Sequence, residues 1–115
     1  HFDSTDPNYL AVMLYLGGTE GSGTAFYRQR PTDIEVVNDG NVARFVAAAK
    51  AAPAEGYICG SDDHYEEIGR VEAAPDRLVV YRGALLHSGI IPPDMNFSAD
   101  PNVGRLTLNI FVKGY

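Results

Sequence analysis

The sequence is poor in cysteine, in basic residues and in long apolar runs. Cys59 is the single cysteine among 115 residues, so a domain held together by internal disulfides is excluded. A lone cysteine fits a reducing compartment, and we expect a cytoplasmic location. No apolar run approaches the roughly 18 residues of a membrane-spanning helix. Nine basic against fifteen acidic residues give a net charge of −6, which argues against nucleic acid or an anionic membrane as a partner.

What the sequence does contain is a series of short segments of strand length, separated by glycine-rich and proline-rich turns. We expect Tyr9–Leu16 and Thr24–Arg28 to be strands and to form a hairpin across the glycine-rich connection between them. Later segments with strand character are Arg77–Arg82, Ala84–Ile91 and Arg105–Lys113. Several short strands punctuated by turns predict a mainly β chain, either a barrel or a sandwich.

One helix and one acidic stretch interrupt the strand pattern. An apolar stripe with helical spacing, preceded by Asn41 as a candidate N-cap and followed by Pro53, predicts a single helix. The stripe consists of Val42, Phe45, Val46 and Ala49. The next stretch, Ala54–Asp76, carries seven acidic residues and one arginine, and we interpret it as a solvated loop in preference to an acidic docking surface.

Two histidines and one aspartate are the candidate metal ligands. In an extended segment residues i and i+2 project to the same side, so His1 and Asp3 can approach one ion. His87 lies among apolar residues in a predicted strand, where a lone histidine is more often a hydrogen-bonded core residue. Together, however, two imidazoles and one carboxylate form the facial triad that holds non-haem Fe(II) and leaves coordination positions open.

Arg105 supplies a fixed cation for a chelating dicarboxylate. A guanidinium binds a carboxylate through two parallel hydrogen bonds, which fixes its orientation. Thr107 and Asn109 share the face of Arg105 on an otherwise apolar predicted strand, and this polar company favours a role inside the fold.

The order of these segments resembles the Fe(II)- and 2-oxoglutarate-dependent dioxygenases, in particular the prolyl-hydroxylase-like branch. His1-Phe2-Asp3 resembles the HxD motif of that family, and Gly104–Thr107 resembles its Arg-x-Ser/Thr element. The remaining matches are Tyr15-Leu16 with Gly23–Phe26, and Arg77–Gly83 leading to His87–Gly89. The resemblance spans nearly the whole chain.

This resemblance implies a catalytic centre in which His1, Asp3 and His87 are the iron ligands. The implied reaction is oxidative decarboxylation of 2-oxoglutarate to succinate and CO2, coupled to hydroxylation of a peptide side chain or a small molecule. It further implies that Arg105, supported by Thr107, binds the distal carboxylate of 2-oxoglutarate, with the Tyr15 hydroxyl as a further donor. Ascorbate is an expected stimulant.

The implied fold is a double-stranded β-helix, a jelly roll of the cupin type, occupying residues 1–115 as a single domain. In the family, further elements precede the HxD motif. We therefore expect this piece to be the C-terminal catalytic portion of a longer chain, with a missing N-terminal segment or a partner chain covering an exposed sheet edge. The segment Asn38–Glu72, which contains the helix, is an insertion expected to frame the substrate entrance.

Two alternatives stay open from the sequence. The first is a non-catalytic cupin-like module that binds a metal or a small acid. The second takes His1 as a mature terminus that binds Cu(II) through its amine and ring nitrogen, with His87 as third ligand. Besides these, His64 lies in an acidic run that resembles a second metal cluster, and we interpret that run as solvated loop.

Overall fold

The computed structural model describes residues 1–17, 20–54, 56–95, 98–100 and 102–115. This part of the chain contains six strands and one helix. In chain order they are β1 (Tyr9–Gly17), β2 (Gly23–Gln29), α1 (Val42–Ala51), β3 (Tyr65–Glu72), β4 (Leu78–Arg82), β5 (His87–Ile90) and β6 (Leu106–Lys113). The prediction of a mainly β chain with one helix is confirmed, and every predicted strand is present with its ends shifted by at most three residues. Within the described ranges, no helix is long and apolar enough to cross a membrane.

The strands form two antiparallel three-stranded sheets, in the orders β4-β1-β6 and β3-β2-β5. In the first sheet Val12 of β1 lies between Val80 of β4 and Ile110 of β6. In the second sheet Phe26 of β2 pairs with His87 of β5. Because β5 begins at His87, this pairing fixes where the imidazole lies along the sheet.

The predicted hairpin between the first two strands is wrong, since β1 and β2 belong to different sheets. The two strands instead meet through their side chains, and the Tyr15 and Thr24 hydroxyls lie 2.6 Å apart. Gly23, the first residue of β2, lies close against β3. A Cβ atom on Gly23 would lie only 2.2 Å from the Val71 carbonyl oxygen, so the glycine allows β2 to turn into the second sheet.

The acidic stretch is solvated as expected, since none of its described residues is buried, but it is not all loop, because 8 of its 23 residues form β3. The sequence of β3 does not alternate between apolar and polar residues, and several of its charged side chains form ion pairs. Glu66 lies 3.3 Å from Arg28 of β2, and Glu67 accepts a hydrogen bond from Arg70 at 2.6 Å. The backbone of β3 pairs along the full length of β2, which supplies the order that the sequence pattern does not show.

Helix α1 packs against the core through Phe45, which is buried. The Phe45 ring meets the Phe2 ring edge-on, with centroids 5.7 Å apart. The surrounding core cluster contains Ala25, Tyr27, Ile34, Val37 and Leu86. Asn41 occupies the predicted N-cap position, but its side chain makes no cap and instead donates to the Val36 carbonyl oxygen at 2.9 Å.

The outer face of the β4-β1-β6 sheet is apolar and exposed. The predicted alternation in β6 is present: Asn109 and Phe111 line an internal cavity, whereas the other face is open to solvent. The exposed apolar side chains of this face, taken from β4 and β6, are Leu78, Val80, Leu106, Leu108, Ile110 and Val112. We expected an uncovered sheet edge. Among the described residues, a whole face of this sheet is uncovered as well.

We expect Phe45→Ala to lower the free energy of unfolding by about 3 kcal/mol, because it removes a buried aromatic ring and leaves a cavity. Urea denaturation measures the change. Arg44→Ala, at an exposed position of the same helix, is the matched control and should change stability by less than about 0.5 kcal/mol. Equal stability of the two variants would mean that the helix does not pack on the core as described.

Candidate metal centre

Backbone hydrogen bonds hold the first three residues beside β5. The His1 amino group donates to the His87 carbonyl oxygen at 3.0 Å, and the His87 N–H donates to the His1 carbonyl oxygen at 2.9 Å. The Asp3 N–H donates to the Gly83 carbonyl oxygen at 2.7 Å. Because side chains alternate along an extended segment, His1 and Asp3 project to one side and Phe2 projects to the core.

Gly83 lies where the chain leaves β4 and where Asp3 comes closest to it. Its N–H donates to the Tyr9 carbonyl oxygen at 2.9 Å. A Cβ atom on Gly83 would lie 2.6 Å from Cδ1 of the Tyr9 ring and 3.2 Å from Cβ of Asp3. The missing side chain thus allows Tyr9 and Asp3 to approach the same point of the backbone.

The structure brings the three predicted ligands together. One ligand atom from each of His1, Asp3 and His87 lies within 4.8 Å of the others. His1 Nε2 is 3.6 Å from Asp3 Oδ1, and His87 Nε2 is 3.6 Å from Asp3 Oδ2. The role of these side chains as iron ligands stays a prediction.

His87 presents a neutral nitrogen to the cluster. Its side chain is 4% exposed, and its Nδ1 lies 2.7 Å from the Leu85 carbonyl oxygen, which accepts a hydrogen bond from the protonated Nδ1. Burial lowers the pKa of His87, although the Leu85 hydrogen bond and the Asp3 charge act in the opposite direction. The Nε2 lone pair therefore faces Asp3, which is the tautomer that a metal requires.

The donor set fits a divalent first-row metal ion. Asp3 Oδ2 is buried and has no hydrogen-bond partner among the described residues, a situation that is unfavourable by several kcal/mol unless a cation is near. Two imidazole nitrogens and one carboxylate suit iron and its neighbours. Ligand distances of about 2.1 Å require the three groups to draw closer. His1, whose side chain is 65% exposed, has room to rotate inwards.

The three side chains open into a cavity of about 290 Å³, which we call the metal cavity. Arg105 lines the same cavity, and its Nε is buried without a hydrogen-bond partner in the described part of the chain. Gly104 positions the arginine, since a Cβ atom there would lie 2.1 Å from the Ser98 carbonyl oxygen. A half-buried arginine whose buried Nε–H lacks a partner favours an anionic ligand in this cavity.

Tyr15 and Thr107 do not belong to the described lining of the metal cavity. Tyr15 is fully buried, and its hydroxyl is hydrogen-bonded to Thr24, which does line the cavity. Thr107 pairs with Tyr15 across β1 and β6. Tyr15 is therefore separated from the metal cavity by Thr24, and Thr107 is the neighbour of Tyr15 in the sheet.

Sequence reasoning missed Thr24 and Tyr81 as residues of the metal cavity. The Tyr81 ring lies edge-on to His87, with centroids 4.8 Å apart. Burial, reinforced by the charges of Asp3 and Tyr15, raises the pKa of Tyr81 to about 12, so its hydroxyl stays protonated. The alternation in β4 could have identified Tyr81, because Val79 and Tyr81 lie two residues apart and share the inward face of the strand.

The other candidate sites do not assemble. His64 is exposed, and within the described ranges its neighbours form no cluster suited to a metal. Cys59 is an exposed free thiol. The copper alternative would use the amino group of His1, which here donates to the His87 carbonyl oxygen, and this alternative stays a prediction.

Comparison with known sequences identifies the family. The chain belongs to a family of unknown function, DUF6445, whose model matches residues 1–112. No curated protein and no solved structure matches the chain.

The lowered pKa of His87 makes the stability of the metal-free protein depend on pH. The unfolded chain takes up a proton near pH 6.5, whereas the folded chain resists it, so stability should fall as the pH drops below about 6.5. The slope contributed by His87 in this window is at most about 1.4 kcal/mol per pH unit. Urea denaturation in the presence of a chelator, at pH 7.5 and 5.5, measures it. His87→Gln should reduce the change in stability between the two pH values, whereas His64→Gln should leave that change as in the wild type. Equal stability of the wild type at both pH values would contradict a buried, neutral His87.

Proposed function

We propose that the chain is an Fe(II)- and 2-oxoglutarate-dependent oxygenase that hydroxylates a small molecule or a peptide side chain. One observation carries the proposal: a His-Asp-His cluster with ligand atoms within 4.8 Å shares a cavity with Arg105, whose Nε is buried without a hydrogen-bond partner among the described residues. A cluster alone is compatible with any divalent metal. Arg105 in the same cavity additionally favours an anionic ligand beside the metal.

His1, Asp3 and His87 would hold the iron from one side. When bound, the ion supplies the redox chemistry that activates O2 beside a chelating 2-oxo acid. In the overall reaction one oxygen atom of O2 enters the C–H bond of the substrate and the other enters succinate, while CO2 leaves. The Leu85 hydrogen bond to His87 fixes the ring, so that Nε2 stays directed at the site.

Arg105 would bind the distal carboxylate of 2-oxoglutarate. Its Nε lacks a partner in the described residues, and a guanidinium satisfies two N–H groups when it meets a carboxylate. Thr24 lines the same cavity, and the Tyr15 hydroxyl holds it at 2.6 Å. In this proposal Tyr15 acts through Thr24 and does not contact the cosubstrate itself.

Two antiparallel sheets that meet around a metal cavity support the double-stranded β-helix as the fold. The exposed apolar face of the β4-β1-β6 sheet supports the further proposal that another segment or a partner chain covers it. A cytoplasmic setting, with ascorbate as stimulant, would keep the iron ferrous, and the free thiol of Cys59 agrees with a reducing compartment.

Anaerobic titration with Fe(II) and 2-oxoglutarate should produce the visible charge-transfer band of an iron-chelated 2-oxo acid. His87→Ala should abolish the band, because it removes the buried ligand nitrogen. His64→Ala, which changes an exposed histidine outside the site, should leave the band intact. A band of full strength in His87→Ala would show that the ligand set is wrong.

Arg105→Met should weaken 2-oxoglutarate about 10- to 100-fold, as expected for the loss of hydrogen bonds to a charged group. Iron affinity should change by less than about twofold, since Arg105 is not a ligand in this proposal. Calorimetry with each component separately, with Arg44→Met as the control, distinguishes the two effects. Equal loss of iron and 2-oxoglutarate would indicate a folding defect and remove the support for the carboxylate-binding role.

The non-catalytic binding module remains the competing function. Succinate released in air by the iron-loaded protein separates the two, because a binding module would bind 2-oxoglutarate without consuming it. Binding without any succinate, in the presence of ascorbate, would favour the module.

A further inference from the structure

A second cavity adjoins the metal cavity and has a different chemical character. Its volume is about 280 Å³, and we call it the side cavity. His1, Tyr57 and His87 line both cavities, so the side cavity opens directly onto two of the predicted metal ligands. A group held in the side cavity would therefore lie beside the metal centre without competing with Arg105.

Aromatic rings dominate the wall of the side cavity. Tyr27 and Phe45 are buried at its inner end, Tyr65 is half-buried, and Tyr57 is exposed. Rings of this kind bind apolar surface, and their faces also attract cations, most strongly where water is excluded.

The wall of the side cavity contains one carboxylate, that of Asp62, beside the two histidines. Asp62 lines the side cavity, and none of the described lining residues is a lysine or an arginine. Oδ1 of Asp62 accepts the N–H groups of His64 and Tyr65, at 2.8 and 2.7 Å, so the carboxylate is held in place beside the aromatic wall. The guanidinium of Arg30 is directed at the Asp62 carbonyl oxygen, at 2.9 Å.

Two neighbouring basic side chains are paired with carboxylates, whereas Arg30 donates to the backbone carbonyl oxygen of Asp62. Arg28 is bound by Glu35 and Glu66, and Arg70 is bound by Glu67. Asp63 adds a further exposed carboxylate next to the wall. With Arg30 included, the five carboxylates named here outnumber the three arginines, so the mouth of the side cavity favours positive charge over a second carboxylate.

We propose that the side cavity binds a small organic cation, an amine, guanidinium or quaternary ammonium group, as the part of the substrate that positions its C–H bond at the metal. The inference rests on the proposed function. A volume of about 280 Å³ lies at the lower limit for ligand cavities, which suits a group no larger than one amino-acid side chain. Aromatic faces and one carboxylate together select positive charge, whereas aromatic faces alone would accept a neutral group equally well.

Choline and its neutral isostere 3,3-dimethyl-1-butanol test the charge preference, because they differ in charge and hardly in shape. Binding to the full chain is measured by calorimetry without iron, so the result does not depend on turnover. We expect choline to bind about fivefold more tightly than the alcohol. Equal affinities, or no binding of either probe, would overturn the proposal.

Two pairs of variants locate the binding. Asp62→Asn keeps the oxygen that accepts the two N–H groups and removes the charge, and it should reduce the preference for choline to about twofold or less. Tyr57→Leu should weaken choline several-fold. Asp39→Asn and Tyr115→Leu, both exposed and outside the cavity lining, are the matched controls and should bind choline like the wild type. Wild-type binding by Asp62→Asn and Tyr57→Leu would place the cation elsewhere and overturn the proposal.

Two further measurements separate this inference from the proposed function and identify the source of the cation. Free alkylamines and a short lysine-containing peptide are compared for their stimulation of succinate release. Stimulation by either one supports the proposal that the substrate carries a cation. Stimulation by the amines indicates a small molecule, and stimulation by the peptide indicates a protein side chain. An intact charge-transfer band without cation binding would overturn the side-cavity proposal and leave the oxygenase proposal standing. Cation binding without a band would overturn the oxygenase proposal, and with it the role of the cation as substrate.

Discussion

The reciprocal pair of backbone hydrogen bonds between His1 and His87 is the interaction on which the candidate site depends. It joins residues 86 positions apart in the chain and places two imidazoles in contact. Backbone pairing is well suited to this task, because it fixes position and direction without using the ring nitrogens. The Asp3 N–H, bound to Gly83, extends the same pairing by two residues and adds the carboxylate.

The core and the site share this segment. Phe2 sits between the two predicted ligands in sequence and points to the opposite side, where it meets Phe45 of the helix. The burial of Phe2 thus holds the backbone whose other side carries His1 and Asp3. On the metal side the polar atoms are left incompletely satisfied, with Asp3 Oδ2 and Arg105 Nε both buried and unpartnered in the described part of the chain. Packing of Phe2 on Phe45 stabilises the core side of residues 1–3, and a bound ligand would stabilise the side that carries His1 and Asp3.

The sequence was sufficient to predict the features that depend on residues close together in the chain. The alternation in β6 and the apolar runs of β1 and β4 identified strands, and the stripe through Phe45 identified the helix. The spacing of His1 and Asp3 was sufficient to place them on one side, while the meeting with His87 depended on strand pairing that no local pattern reveals. His87 and Arg105 were candidates from their residue types and their neighbours in sequence, and the resemblance to a known family implied their roles.

Other features depended on tertiary contacts and were missed. The assignment of β1 and β2 to different sheets follows from the packing of Gly23 against Val71, and β3 follows from charge pairing with β2. Tyr15 was expected to reach the cosubstrate, yet it is buried behind Thr24. The side cavity is formed by Asp62, Tyr65 and their neighbours, which lie in the stretch that we had interpreted as loop.

The close approach at Gly83 has an evolutionary consequence. Residue 83 carries no functional group, yet its backbone touches both the ring of Tyr9 and the side of Asp3. Any larger residue there would displace the aspartate together with the strand behind it. If Asp3 binds a metal as proposed, selection on its position would therefore also act on residue 83 and favour glycine there.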